Sequence, residues 1–183
     1  MPTMGTKKVV ISVAAAVVVV GGAAGLYLFQ PWQLFVNETV QEGVPGAAAS
    51  PSPSGSSPDS ETPAAGPVEL AGGKLITHEH DTTGSVRILR LADGSRVLRL
   101  ENLATSSGPD LHVWVTDAEV KPGRAGWHVF DDGRHVTLGS LKGNRGDQNY
   151  RLPADLDLGD YRSVTIWCDR FNVSFGAATL SRA

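Results

Sequence analysis

The N-terminal part of the chain contains one long apolar run. From Val9 to Phe29 there are 21 residues without a charge, and a helix of that length extends about 31 Å, enough to cross a bilayer core. Lys7 and Lys8 precede the run, and positive flanks stay in the cytoplasm. The pattern predicts a signal anchor over residues 9–29, with residues 1–8 cytoplasmic. A cleaved signal peptide is the alternative, but its apolar core is usually shorter.

After the apolar run the chain loses its hydrophobic periodicity. Residues 30–42 form a short juxtamembrane segment, and of the 25 residues from 43 to 67, 21 are Pro, Ser, Ala or Gly. Such a composition offers too little apolar surface to offset the entropy of folding. We expect a disordered linker that separates a folded domain from a cell membrane, with that domain outside the cytoplasm.

From residue 68 to 183 the pattern changes to short runs in which apolar and polar residues alternate, as in half-buried strands. Asp93-Gly94 is typical of a tight hairpin turn, and Asp132-Gly133 is a second candidate. No segment is long enough for a crossover helix, so the pattern predicts an all-β domain, an antiparallel β-sandwich or a related barrel. The predicted strands are Leu75–His80, Ser85–Leu91, Arg96–Asn102, Leu111–Thr116, Val136–Leu141, Asn149–Leu152, Val164–Cys168 and Phe171–Phe175.

Composition narrows the classes of function. The formal net charge is -3, which leaves no basic excess for phosphates and makes nucleic acid an unexpected partner. No Gly-x-Ser-x-Gly elbow, His-Glu-x-x-His helix or phosphate loop occurs in the sequence. We therefore do not expect a classical enzyme.

Cys168 is the only cysteine of the chain, so no internal disulfide can form. Strand alternation places it on the face of Val164 and Ile166, with Thr165 and Trp167 on the other face. One interpretation is a buried structural cysteine, whose thiol is inert. The other is a thiol at the rim of its strand, next to Asp169 and Arg170, where an oxidant or cofactor could reach it.

Five histidines lie in the same region as Cys168. His78 and His80 alternate and could present two imidazoles on one side of a strand, whereas His112 is expected to face solvent. A blue-copper site would need His and Met after the cysteine in one loop, and neither follows Cys168. The sequence therefore predicts no metal site.

Six short motifs recur between Val68 and Leu180 in a pattern that is typical of one domain family. They are His80–Gly84, Leu98–Leu103, Ser107–Val113, Leu138–Gly143, Gly146–Tyr150 and Tyr161–Ala177. On these motifs the segment resembles the DM-thirteen domain family, which occurs in Skeletor-type animal proteins and in membrane-anchored actinobacterial proteins. The family often has an aromatic residue where this chain has His112, and a Phe in the position of Leu103.

The resemblance implies a role in electron transfer or thiol redox chemistry centred on Cys168, as a bare thiol or as the ligand of a group such as haem. His80 is then the candidate second ligand or neighbour, and Trp167 and Phe171 are candidates to line a pocket. The competing hypothesis is a cell-surface module that binds a protein or glycan through the loops Thr105–Asp110 and Asp117–Trp127. In that module Trp114 and Trp127 would contact the ligand and Cys168 would be structural.

Overall fold

The computed structural model describes residues 4–29, 36–46 and 66–183. It divides into two compact units, residues 1–36 and 37–183. The first contains helix α1, Met4–Phe29, whose side chains are described at Val9 and from Ile11 to Tyr27. Within the described residues, no helix is both long and apolar enough to cross a membrane. The anchor over residues 9–29 is not confirmed and stays a prediction.

The second unit is a β-sandwich, as the alternation predicts. Its strands are β1 Thr39–Gln41, β2 Val68–Lys74, β3 Ile76–Thr77, β4 Thr83–Arg90, β5 Arg96–Ala104, β6 Leu111–Thr116, β7 His135–Ser140, β8 Arg145–Arg151, β9 Ser163–Cys168, β10 Val173–Thr179 and β11 Ser181–Arg182. One sheet has the order β1-β8-β5-β4-β2-β11 and the other β3-β10-β9-β6-β7. All pairs are antiparallel except β1 with β8, which is parallel.

The hairpin predicted at Asp93-Gly94 is confirmed between β4 and β5. Gly94 has φ +80°, a conformation that glycine adopts without strain, and the Asp93 carboxylate accepts hydrogen bonds from the N–H and the hydroxyl of Ser95. The expectation for Asp132-Gly133 is wrong. That dipeptide lies in the long connection between β6 and β7, where the Asp117 carboxylate accepts a bond from the Arg134 N–H.

Several strands differ from the expected ones. The strand expected over Leu75–His80 is reduced to β3, Ile76–Thr77, and strands β1, β2 and β11 were not predicted. The strand expected over Asn149–Leu152 begins earlier, at Arg145. Its first residues, Arg145-Gly-Asp, did not predict a strand because they are polar and contain a glycine. The strand expected at Phe171 begins at Val173, since residues 169–172 form a turn after β9.

The main core lies between the two sheets. The inner faces of β4, β5, β6 and β9 contribute its fully buried side chains, among them Ile88, Leu98, Val113 and Ile166. A second apolar cluster of Trp114, Phe130, Trp167 and Ala177 lies on the other face of the β9 sheet. Both faces of this sheet are therefore covered, and all six residues of β9 are buried.

The boundary expected at Val68 left out residues 37–46, which belong to the second unit. β1 pairs with β8 through Thr39, Val40 and Gln41. The predicted linker was to begin at residue 43 and to separate the domain from the membrane. Its residues 43–46 instead continue this docked segment, and its residues 47–65 lie outside the described part of the chain.

Gln148 holds the turn between β7 and β8 from inside. Its side chain is fully buried and accepts hydrogen bonds from the N–H groups of Lys142 and Gly143, while its own amide donates to the Gly143 carbonyl at 2.6 Å. The Tyr150 hydroxyl donates to the same Gln148 oxygen at 2.8 Å. This one side chain therefore satisfies the polar groups of a tight turn in an apolar setting.

Replacing this side chain tests its role in the fold. Gln148→Ala should lower the free energy of unfolding by about 2 to 4 kcal/mol, because it leaves several buried polar groups without partners. Urea unfolding followed by tryptophan fluorescence measures the change. Thr137→Ala, at an exposed position of β7, is the control and should change stability by less than about 1 kcal/mol. Equal effects of the two substitutions would contradict the role given to Gln148.

Candidate site around Cys168

Cys168 ends β9 with its side chain in the main core, on the face predicted by alternation. It lies opposite Leu111 on β6 and opposite Val173 on β10. Its exposed fraction is 0%, and the thiol is free. The expectation of a rim position is therefore half correct: the residue is the last of its strand, but its sulfur is covered.

A tight turn follows Cys168 at the end of β9. The Phe171 N–H lies 3.3 Å from the Cys168 carbonyl oxygen, which closes the turn. Asp169, Arg170, Phe171 and Asn172 are all exposed, and Asn172 has φ +49°, in the left-handed region that asparagine tolerates. The buried thiol therefore lies at the end of its strand, next to a short exposed segment.

Opposing effects act on the ionisation of Cys168. Burial raises the pKa of its thiol above the ordinary value of 9.0, and the nearby Asp110 carboxylate raises it further. Backbone hydrogen bonds at Phe171, Arg170 and Asp110 act in the other direction and lower the pKa. Amide N–H groups near a sulfur favour its anionic form, whereas burial disfavours it. The net direction is upward.

A polar cluster lies next to this turn. The His112 Nε2 atom is 3.0 Å from an Asp110 carboxylate oxygen and 3.4 Å from an Asp169 oxygen, and the Asp169 N–H donates to the Asp110 carbonyl at 3.0 Å. His112 was expected to face solvent, but its side chain is only 19% exposed, and its Nδ1 atom is buried without a hydrogen-bond partner. The register of β6 with β9 places it beside Trp167, which alternation along one strand could not show.

These three residues could also hold a cation. One ligand atom from each of Asp110, His112 and Asp169 lies within 4.8 Å of the others, and no other such group of metal-ligating side chains occurs in the described segments. The direct contacts of His112 with both carboxylates already satisfy its Nε2 atom. Two exposed carboxylates beside one histidine are a common surface arrangement.

The other predicted site residues do not gather around the sulfur. The Trp167 side chain belongs to the second cluster, on the face of β9 opposite Cys168, and its ring lies 5.0 Å from that of Trp114. The His80 ring packs at 3.9 Å on Phe175, and its Nε2 atom pairs with Glu79. Phe171 is 48% exposed. Of the three, only Phe171 belongs to the turn that follows Cys168.

The two alternating histidines do not form a pair. His78 is buried, with Nδ1 hydrogen-bonded to the Ser174 hydroxyl and Nε2 to the Lys121 carbonyl. Its ring stacks on Phe130 of the second cluster, whereas His80 packs on Phe175 of the main core. Burial lowers the pKa of His78, and the Lys121 carbonyl opposes this shift.

Haem does not fit at Cys168 in this structure. The sulfur is enclosed by core side chains, and a thiolate ligand needs an adjoining space for the macrocycle. Three cavities lined by described residues have volumes of about 510, 420 and 270 Å³. They lie beside Arg96, Arg87 and Lys121 respectively, and Cys168, His80, Trp167 and Phe171 line none of the three.

A series of stacked aromatic rings was not predicted from the sequence. Exposed His135 stacks on Trp114 at 3.9 Å, Trp114 on Trp167 at 5.0 Å, and Phe130 meets Trp167 edge-on at 6.4 Å. These rings form a continuous aromatic series from the surface to the residue before Cys168. The alternation of Trp114 and Trp167 on strands was visible in the sequence, but the pairing that stacks them depends on the register of β6 with β9.

A family model described as "Electron transfer DM13" matches residues 74–180. The chain belongs to the DM13 family. Neither the curated proteins nor the solved structures compared with the chain gave a match. The DM13 match contains Cys168, its turn and the Asp110–His112–Asp169 cluster, whereas residues 37–46 lie outside it.

The buried thiol should make stability depend on alkaline pH. Because the thiol has a higher pKa in the folded DM13 domain than in the unfolded chain, the unfolded state loses its proton first, and stability falls as pH rises through this range. We expect a decline that starts near the ordinary thiol pKa of 9.0, with a slope of at most about 1.4 kcal/mol per pH unit. Thermal unfolding of the wild type and of Cys168→Ala from pH 7 upward measures it.

The comparison between the two proteins isolates the thiol, because all other titrating groups are shared. The variant should have the flatter profile, whatever its absolute stability. Burial also raises the pKa of Tyr150 to about 12, so Tyr150→Phe should flatten the profile only above the ordinary tyrosine pKa of 10.0. Parallel stability profiles for the wild type and Cys168→Ala between pH 9.0 and pH 10.0, the ordinary pKa values of the two groups, would contradict a buried thiol.

Proposed function

We propose that this DM13 domain has a thiol redox or electron-transfer role in which Cys168 is the group that changes oxidation state. The observation that supports this role is the position of the free thiol, on the last residue of β9 and next to the exposed turn of residues 169–172. The backbone amides at Phe171, Arg170 and Asp110 act to lower the pKa of this thiol, against the effect of burial. N–H groups directed at a sulfur lower the energy of a thiolate and of a polar oxidised product.

The chemistry that these groups assist can be written with a simple oxidant. When hydrogen peroxide is the oxidant, the thiolate sulfur attacks one peroxide oxygen and the O–O bond breaks. Hydroxide leaves and takes up a proton to become water. The sulfur loses two electrons and becomes a sulfenic acid, whose oxygen the same turn amides could bind.

Access to the sulfur requires the turn after β9 to move. Residues 169–172 are exposed on the surface, and such turns open locally at a much smaller cost than the whole domain. The carboxylates of Asp110 and Asp169 lie beside this entrance. They disfavour a negatively charged reagent and a thiolate alike, so the site fits a neutral or cationic redox partner.

The aromatic series offers a second route for an electron. It runs from exposed His135 through Trp114 to Trp167, the neighbour of Cys168 in the chain, with ring centroids 3.9 and 5.0 Å apart. The series ends on the face of β9 opposite Cys168, so the last step would cross the strand backbone from Trp167 to the sulfur. A partner at the His135 surface would then not need to touch the sulfur.

Reactivity of the native thiol tests the redox role. Hydrogen peroxide should add one oxygen to the native protein at Cys168, as read by intact mass, at a rate set by local opening and far above the rate of global unfolding. Asp110→Asn should raise the rate about three-fold at fixed pH, because it removes a charge that disfavours the thiolate. Asp131→Asn, at an exposed position outside this site, is the matched control and should leave the rate unchanged.

The other interpretation is that Cys168 serves only for packing, and the same experiment tests it. A thiol that reacts only as fast as the domain unfolds, with Cys168→Ser costing about 1 to 3 kcal/mol for a buried hydroxyl, would assign Cys168 to packing. The binding-module hypothesis would then remain, with one of its two tryptophans. Trp114 is 5% exposed, whereas Trp127 is half-buried against the main core, so of the two only Trp127 has a surface for a ligand.

We further propose that the N-terminal helix anchors the protein in the cell membrane with the DM13 domain outside the cytoplasm. The support is the uncharged run from Val9 to Phe29 behind Lys7 and Lys8. The intact protein should then stay with membranes after high-salt and carbonate washes, as read by immunoblot of pellet and supernatant. Release of a shortened form would assign the segment to a cleaved signal peptide.

A further inference from the structure

The edge of β8 holds a segment that precedes the domain in the chain. Thr39, Val40 and Gln41 run parallel to residues 145–147 of β8. At the ends of this short ladder the Arg145 N–H donates to the Glu38 carbonyl at 3.1 Å, and the Glu42 N–H donates to the Asp147 carbonyl at 3.0 Å. We refer to residues 37–46 as the strap.

The side chain of Asn144 fixes the start of the strap. It is buried, and its oxygen accepts the Glu38 N–H at 2.7 Å. Its amide donates to the Asn37 side chain and to the Thr105 carbonyl, both at 2.8 Å. Asn144 therefore ties the strap to the loop after β5.

Arg99 fixes the other end. Its side chain is only 4% exposed, and it donates to the carbonyl oxygens of Glu42 at 2.9 Å and Gly43 at 3.3 Å. The same guanidinium pairs with Asp147 at 2.6 Å and with Glu101 at 2.8 Å. These two acids belong to the domain, so they hold the guanidinium in place for the strap rather than being held by it.

Glu42 is the strap's charged contact. One carboxylate oxygen pairs with the Lys142 ammonium at 2.7 Å, and the other accepts the Asn149 N–H at 2.7 Å. The ammonium of Lys142 lowers the pKa of the Glu42 carboxyl against the effect of burial, which raises it. Charge-assisted bonds of this kind are about twice as strong as neutral ones.

Two glycines of the domain make room for the strap backbone. A Cβ at Gly146 would lie 2.0 Å from the Val40 carbonyl oxygen, and one at Gly143 would lie 2.6 Å from the Glu38 carbonyl oxygen. Gly146 also has φ +93°, which disfavours other residues. The edge is thus shaped for a strand in this position.

We propose that the β8 edge is a strand-binding site whose ligand is the strap of the same chain, and that a cut in the segment between the strap and β2 leaves the domain bound to the strap. Strand addition of this type takes its affinity from backbone hydrogen bonds and its selectivity from side-chain contacts. Here the selective contacts are those of Asn37 and Glu42. The site is preorganised by Arg99, Gly143 and Gly146, which reduces the cost of binding.

A bound strap changes the role of the Pro/Ser/Ala/Gly stretch that follows residue 46. With the strap bound, the covalent spacer between helix α1 and the domain is residues 30–36, and residues 47–65 join two points of the same unit. Proteolysis within residues 47–65 would then not release the domain from its N-terminal segment. This conclusion holds whether or not the helix is a membrane anchor.

The test uses the full chain with an N-terminal affinity tag and a protease recognition sequence inserted after Ser54, in detergent. After complete cleavage, we expect the C-terminal fragment to remain on the affinity resin. Glu42→Ala should speed its release about ten-fold, because two charge-assisted contacts are lost. Glu119→Ala, which removes an exposed acid in the loop between β6 and β7, is the matched control and should not change the release rate.

Two results would overturn the proposal. If the C-terminal fragment washes through at once, or if Glu42→Ala releases it no faster than Glu119→Ala does, the strap is not a ligand of the β8 edge. A mixture of tagged chains with untagged, isotope-labelled chains, cut after mixing, identifies the occupant by the mass of the retained C-terminal fragment. Retention of the tagged chain's own fragment is expected, and equal retention of the untagged fragment would assign the site to the strap of a second copy.

Discussion

Burial of both faces of the β9 sheet is the constraint on which the candidate site depends. One face packs on the opposite sheet, and the other is covered by the connection between β6 and β7 through Phe130 and its neighbours. A strand in this position has no solvent-facing side, so Cys168 and Trp167 are both enclosed although they point in opposite directions. The sulfur lies at the end of the strand, next to the exposed turn of residues 169–172. The chemistry of Cys168 is therefore set by the turn that follows it.

That turn has two effects on the thiol. Its residues exclude solvent, which disfavours the thiolate, and its amides supply hydrogen bonds, which favour it. Desolvation has the larger effect in the closed form, so a neutral thiol is the resting state. A local opening would remove the desolvation cost before it removed every amide contact. Such a site keeps its sulfur unreactive until a partner or a fluctuation opens the turn, which suits a redox group that must avoid random oxidation.

The features of the fold that depend only on neighbouring residues could be predicted from the sequence. The Asp93-Gly94 hairpin follows from the φ angle of one glycine, and the inward direction of Cys168 follows from alternation along one strand. His112 could not be placed in the same way, because its partners Asp110 and Asp169 come from both sides of a strand pairing that only the register specifies. Trp167 was predicted to line a pocket at Cys168. Alternation along β9 places the two side chains on opposite faces, and the structure agrees with the alternation.

The strap could not be predicted, because it is short and its contacts lie far away in the sequence. Three residues of β1 give no periodic signal, and the groups that hold them, Asn144 and Arg99, lie about 100 and 60 residues further along the chain. The receiving residues of β8 fall within the DM13 match, whereas the strap lies outside it. A DM13 domain without such a segment would expose the edge of β8 with Gly143 and Gly146 uncovered, and open strand edges invite pairing with other chains. In this chain the edge is covered by the strap, so a contact within the same unit protects the sheet from such pairing.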